Sequence, residues 1–236
     1  MADRERPLYA VLIDADNIPA KFAAAILTEI TSFGEPAIRR VYGDWSSSRL
    51  NQWTKMVKDL GLTAHQETAN TTGKNASDIG LVIDAMDILH TGRFDGFVLV
   101  SSDSDFTALA NRVREQGMDV IGIGEAKAPS SLKTVCNRFI TIENIYEDQQ
   151  ADAGSGAQKG KKKPSEAIDL ILRAMDKIDT DDDWYTLGQL GQYITAENPD
   201  FDTRSYGKKK LSDLVQELKR FETRKMNNQL QIRRLD

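Results

Sequence analysis

From residue 8 to residue 145, short continuous apolar runs alternate with segments of helical period. Leu8–Ile13 is apolar throughout, as a strand buried on both faces is. Pro19 suits a first helical position, and Phe22, Ala23, Ile26, Leu27 and Ile30 carry the 3.6 period up to Gly34. A second strand is predicted over 37–43, with Asp44 and Trp45 beyond its end. The helix after it carries Leu50, Trp53, Met56, Val57 and Leu60. Residues 61–66 form a weaker strand, and polar 67–76 a loop. Ser77 and Asp78 open a strongly apolar helix through Leu89, predicted to be buried on most sides. Phe97–Val100 is the fourth strand, followed by a helix with Phe106, Leu109 and Val113. A fifth strand over 118–123, a short helix at Leu132–Cys136 and a final strand over 139–142 complete the pattern. Such alternation predicts an α/β domain: a doubly wound, mostly parallel sheet with helices on both faces. Ligands bind such sheets outside the carboxyl ends of the strands, where strand order reverses.

The pattern then lapses. Residues 148–163 are small, polar and finally lysine-rich, and predict a flexible linker between a domain at 1–147 and another at 164–236. The second domain reads as three helices, over 164–178, 184–197 and 203–220. A hairpin follows from Phe221 to Arg234 around Asn227-Asn228. Three helices and a β-wing make a winged-helix pattern. Asp181–Asp183 add negative charge to it.

Composition narrows the classes. Hydrophobic residues make up 40% of the 236 residues and charged residues 28%, which gives core enough for two globular domains. A net charge of −5 does not suggest a nucleic-acid coat, though patches matter more than sums. Cys136 is the single cysteine, so no internal disulfide and no cysteine-rich zinc site can form. This fits a reducing cytoplasm. Met1–Pro7 is charged and has no signal-like apolar run, and no membrane span is expected. His65 and His90 show no ligand or triad spacing.

The chemistry gathers on carboxylates. Asp14 ends the first strand, Asp103 and Asp105 follow the fourth, and Asp78 starts the apolar helix. With the first and fourth strands adjacent, these acids converge on one edge. Four carboxylates there would need cations such as two Mg²⁺ or Mn²⁺ ions, a site suited to phosphodiester hydrolysis. Each acid has a plainer alternative: Asp14 as a helix cap, Asp103 and Asp105 as turn and first-turn residues, Asp78 at a helix start. Asp16 reads as a solvated turn residue, Asp84 as a helix-surface or structural one. Asn17 either caps or orients Asp14. Arg39, Arg40, Arg49, Lys74 and Lys127 are candidates to offset the acids. Asp14-Ala15-Asp16 is partly similar to the haloacid-dehalogenase phosphatases, but Asn17-Ile18-Pro19 departs from that pattern. A Toprim domain would want glutamate where this chain has Asp14.

Ile13-Asp14-Ala15-Asp16-Asn17-Ile18, Ser77-Asp78 and Val100-Ser101-Ser102-Asp103-Ser104-Asp105-Phe106 together resemble the NYN family of PIN-like nucleases over residues 8–146. The resemblance implies a PIN-like sheet and a metal-dependent endoribonuclease. Asp14, Asp78, Asp103 and Asp105 would be its catalytic, Mg²⁺- or Mn²⁺-binding acids, supported by Asn17 and Ser102. Some relatives act mainly as binding or regulatory proteins, which is the alternative. Residues 164–236 resemble the LOTUS or OST-HTH module, through Trp184–Leu190, Pro199–Asp202 and Tyr206–Leu214. This implies RNA binding or protein docking. Arg204, Lys208, Lys209 and Lys210 cluster beside Tyr206, where basic groups could meet phosphates and the ring could stack a base. Arg224, Lys225, Arg233 and Arg234 make the wing basic. No membrane partner is implied.

Overall fold

A computed structural model of the protein describes residues 5–66, 76–152, 161–180, 182–226 and 229–235. In chain order the first elements are β1 (Leu8–Asp14), α1 (Ala23–Ile30), β2 (Glu35–Gly43), α2 (Asn51–Asp59), β3 (Thr63–Gln66) and α3 (Ala76–His90). There follow β4 (Gly96–Val100), α4 (Thr107–Glu115), β5 (Asp119–Gly124), α5 (Ser130–Val135), β6 (Arg138–Thr141) and α6 (Ile142–Asp152). The six strands form one sheet in the order β3-β2-β1-β4-β5-β6, every pair parallel. Strand order reverses between β1 and β4, so the crevice that a doubly wound sheet offers a ligand lies at their carboxyl ends.

The apolar runs of β1 and β4 are explained by burial on both faces. Successive side chains point to opposite sides. Val11, Ile13, Val98 and Val100 pack with Ile26, Trp53 and Ile145, from α1, α2 and α6. Ala10, Leu12, Phe97 and Leu99 pack with Leu81, Ala85, Leu109 and Leu132, from α3, α4 and α5. Polar substitution inside either strand would bury an unpaired group from one face or the other.

Three local expectations are corrected. Helix α6 begins at Ile142, where a strand was predicted, and runs into the segment predicted as linker. A short apolar run does not distinguish strand from helix, and here Ile142 and Ile145 turn into the α1 side of the core. Helix α3 is not buried on most sides, for Ile79 and Ile83 are 61% and 58% exposed. Asp84 on that helix is structural: it accepts hydrogen bonds from Arg40 and from the Tyr42 hydroxyl. Arg40 is thereby committed to Asp84.

The chain divides into two compact units, 1–149 and 150–236. The second contains α7 (Ile168–Met175), β7 (Tyr185–Thr186), α8 (Leu187–Glu197), α9 (Leu211–Glu217), β8 (Phe221–Met226) and β9 (Gln229–Arg234). Its antiparallel sheet has the order β7-β9-β8. Ile171, Leu190, Ile194, Leu214, Val215 and Ile232 form its core. Thr186 caps α8 by accepting from the Gln189 amide. The predicted helix over 203–220 is broken: a 3-10 turn at Thr203–Tyr206 ends at Gly207, whose φ of 72° is left-handed, and α9 starts at Leu211. Predictions over 67–75 (with Lys74), 153–160, Asp181 and Asn227-Asn228 lie outside the described residues. No helix among the described residues is long and apolar enough to cross a membrane.

Candidate active site

Backbone pairing between β1 and β4 ends at Ile13 and Val100. The next residues, Asp14 and Ser101, are both buried and are joined by side chains. The Ser101 hydroxyl donates to Asp14 Oδ2 at 2.9 Å and accepts from the Asp103 amide at 3.1 Å. One rotor therefore links the first acid to the turn carrying the next two. Asp14 Oδ1 accepts from the amides of Asp16 and Asn17, both at 3.1 Å. Asn17 Oδ1 in turn accepts from the Ser102 amide at 2.9 Å, pinning the two loops together. The Ser102 hydroxyl accepts from the Glu125 amide at 2.9 Å, which extends the tie to β5.

Asp103 is also a cap. It precedes the 3-10 turn at Ser104–Phe106, and its Oδ1 accepts from the Asp105 amide at 3.0 Å. Capping engages one oxygen, and a carboxylate has further lone pairs for a cation. Cap and ligand are thus compatible readings of the same residue.

Electrostatics draws Asp78 into the group. The Asp14 carboxyl is pushed up to about 6, first by burial and then by the charges of Asp78 and Asp16, against the lowering effect of the Ser101 and Asn17 hydrogen bonds. Asp78 is raised by burial and by Asp103, Asp105 and Asp16. Asp16, read from sequence as a plain turn residue, is exposed, yet its charge acts on both. The charges that raise these two carboxyls, among the described residues, are those of other acids. Among the described residues, however, no three His, Cys, Asp or Glu side chains are grouped closely enough to hold a metal ion. Mg²⁺ commonly takes one or two carboxylates and keeps several waters, so an all-oxygen acid set still suits a hard divalent cation.

Ser101 is the residue that sequence reasoning passed over. Its signal was a hydroxyl directly at a strand end before an acidic turn. Glu125 was also passed over, and it is paired with Lys127 at 2.6 Å. Gly124 allows β5 to approach this turn. A Cβ there would lie 2.6 Å from the Ser101 carbonyl oxygen and 3.1 Å from Ser102 Oγ. Gly124→Ala is expected to lose about 1–3 kcal/mol through overpacking, seen as a lower midpoint in thermal unfolding.

In the second unit the predicted RNA contacts are only partly available. Tyr206 is 5% exposed, belongs to the core and meets Phe201 at 5.9 Å, so its ring is not free to stack a base. Arg204 is largely buried and pairs with Asp202 at 2.8 Å, and Lys208 pairs with Glu217. Lys209 and Lys210 are exposed before α9. Beside the wing, the Trp184 ring meets two guanidinium groups, Arg224 at 4.0 Å and Arg233 at 5.0 Å from its centroid. These arginines pair with Asp182 and Glu222, and Arg234 with Asp176.

A parallel sheet with acids at the β1/β4 reversal, joined to a helical unit with an antiparallel wing, defines a PIN-like nuclease domain followed by a winged-helix module. Comparison agrees: the NYN domain family matches residues 9–143 and the OST-HTH/LOTUS domain residues 160–232. The chain belongs to the NYN family, with a LOTUS domain after it. NYN domains lie within the PIN-like nuclease superfamily, whose members generally use divalent metal ions. Among solved structures, a protein of unknown function from Vibrio parahaemolyticus is 19% identical with a TM-score of 0.53. The alignment covers 61% of this chain and 98% of that one, a likeness of fold alone. MurG of Acinetobacter baumannii aligns over 83% of this chain and 65% of its own, at 11% identity and a TM-score of 0.39. None of the curated proteins matches the chain.

Proposed function

We propose that the protein is a Mg²⁺- or Mn²⁺-dependent endoribonuclease whose LOTUS domain binds RNA. The observation that carries this reading is Asp14: a buried carboxylate at the reversal point, tied through Ser101 to Asp103 and raised by the charges of Asp78 and Asp16. Asp14, Asp78, Asp103 and Asp105 would hold the metal. Bound there, it supplies a water of lowered pKa and charge neutralisation at the phosphodiester. Asn17, Ser101 and Ser102 fix the acids in place. Lys210 would contribute a phosphate contact from the second domain.

The test is a fluorescent single-stranded RNA incubated with the full chain and Mn²⁺. Internal cleavage that EDTA abolishes and added Mn²⁺ restores is the expected result. The wider spacing of the acids favours a second reading, an RNA- or protein-binding regulator with an idle site. Retained RNA binding with no cleavage at any metal concentration would establish that reading and sink the first.

A further inference from the structure

Next to the acids, on the α2 side, lies a cleft of about 240 Å³ that the cleavage chemistry does not use. Asp16 and Asn17 line it from the β1–α1 turn, and Arg49, Leu50, Gln52 and Trp53 from the start of α2. Its two walls are fastened together. The buried Trp53 indole donates to the Ile18 carbonyl at 2.8 Å, and Leu50 is itself core. The cleft is therefore formed before any ligand arrives.

The chemistry of its walls is uneven. Arg49 is exposed, and its Nε donates to Ser47 Oγ at 3.3 Å, which restrains the side chain. Among the described residues Arg49 makes no ion pair, whereas Arg40 pairs with Asp84 and Lys127 with Glu125. Arg39 reaches the Leu60 carbonyl instead. A guanidinium fork of this kind matches a phosphate in shape and charge. Asn17, whose carbonyl oxygen accepts from Ser102, and Gln52 each bring a side-chain amide to the lining. Leu50 and Trp53, both core residues, brace the cleft from behind. Cation and amides together suit one nucleotide: a phosphate on the guanidinium and the polar edge of a base on the amides. A duplex would not enter a cleft of that size.

We infer that this cleft is a subsite for one nucleotide of single-stranded RNA, with Arg49 on the phosphate next to the one to be cut. The inference rests on the nuclease reading for its location, since Asn17 is three residues from Asp14. The strand would cross the carboxyl edge of the sheet, from the cleft beside α2 toward Asp78 on the opposite face. Asp16 lines the same cleft, so its charge would keep the phosphate at the Arg49 end.

Photo-crosslinking tests it without needing turnover. A 5-iodouridine RNA tetranucleotide is crosslinked to the full chain carrying Asp103→Asn, and the adducts are mapped by mass spectrometry. Adducts are expected on the peptides holding residues 15–20 and 49–53, with yield there falling about tenfold on adding Arg49→Ala and further with Arg49→Glu. Lys58→Ala, an equal charge loss on the same helix, should leave that yield unchanged. Adducts confined to other peptides, or equal yields for Arg49→Ala and Lys58→Ala, would overturn the subsite. Failure of the nuclease reading would show separately, as absent cleavage by the wild-type chain.

Discussion

Asp103→Asn is expected to lower the rate of RNA cleavage by about 10²–10³-fold while leaving the fold in place. The substitution removes a charge from the proposed metal cradle and little else. Asn caps a helical turn about as well as Asp, and its carbonyl can keep the bond from the Asp105 amide. The Ser101 hydroxyl continues to receive the Asp103 amide, because that contact is to backbone. Unfolding should therefore occur at the wild-type temperature, and RNA binding should persist. Quenched-fluorescence cleavage assays beside thermal unfolding separate the two effects. A variant that cuts at the wild-type rate would remove Asp103 from the chemistry.

Asp14→Asn should do the opposite to stability. A carboxyl whose pKa rises from 3.8 to about 6 on folding is penalised when ionised. Below the unfolded value both states hold the proton and the penalty is absent. As pH climbs from there to the folded value, the unfolded chain releases its proton first, so stability falls across that window. Above it the full penalty, about 3 kcal/mol by pKa arithmetic, is present. Asparagine carries no charge, and its carbonyl can accept from the Asp16 and Asn17 amides. At about pH 8 the variant is expected to gain about 1–3 kcal/mol, or several degrees in melting temperature. The gain should vanish toward about pH 4. Mn²⁺ should raise the melting temperature of the wild type and not of the variant, because only binding to the folded state stabilises it. Equal melting temperatures at both pH values would show that Asp14 is not strained by its burial.

Much of this architecture was legible in the sequence because it was written in periodicity. β1 and β4 had to be central, since only burial on both faces accommodates Leu8–Ile13 and Phe97–Val100. Asp14 and Asp103 stood out as charges at the ends of such strands. What escaped had no periodic signature. Ile142 and Ile145 serve a helix as well as a strand, and only the α1 face decides between them. Tyr206 looks like a stacking ring beside basic residues, but burial against Phe201 depends on a turn that Gly207 sets. Ser101 acts through an angle of its hydroxyl, which composition cannot encode. Arg40 and Asp84 lie 44 positions apart, so their pairing appears only once β2 and α3 are packed.

The last rung of the β1–β4 ladder stops one residue short of the acids. Up to that rung the two strands are locked by amide bonds that cannot change length without unzipping the sheet. Beyond it, the contact from Asp14 to Ser101 is a hydroxyl that can swing. Beyond its last rung the seam between the two central strands is thus held by side chains of the site itself, so that substitution of Ser101 or Asn17 would loosen the acids while leaving the sheet's ladder intact.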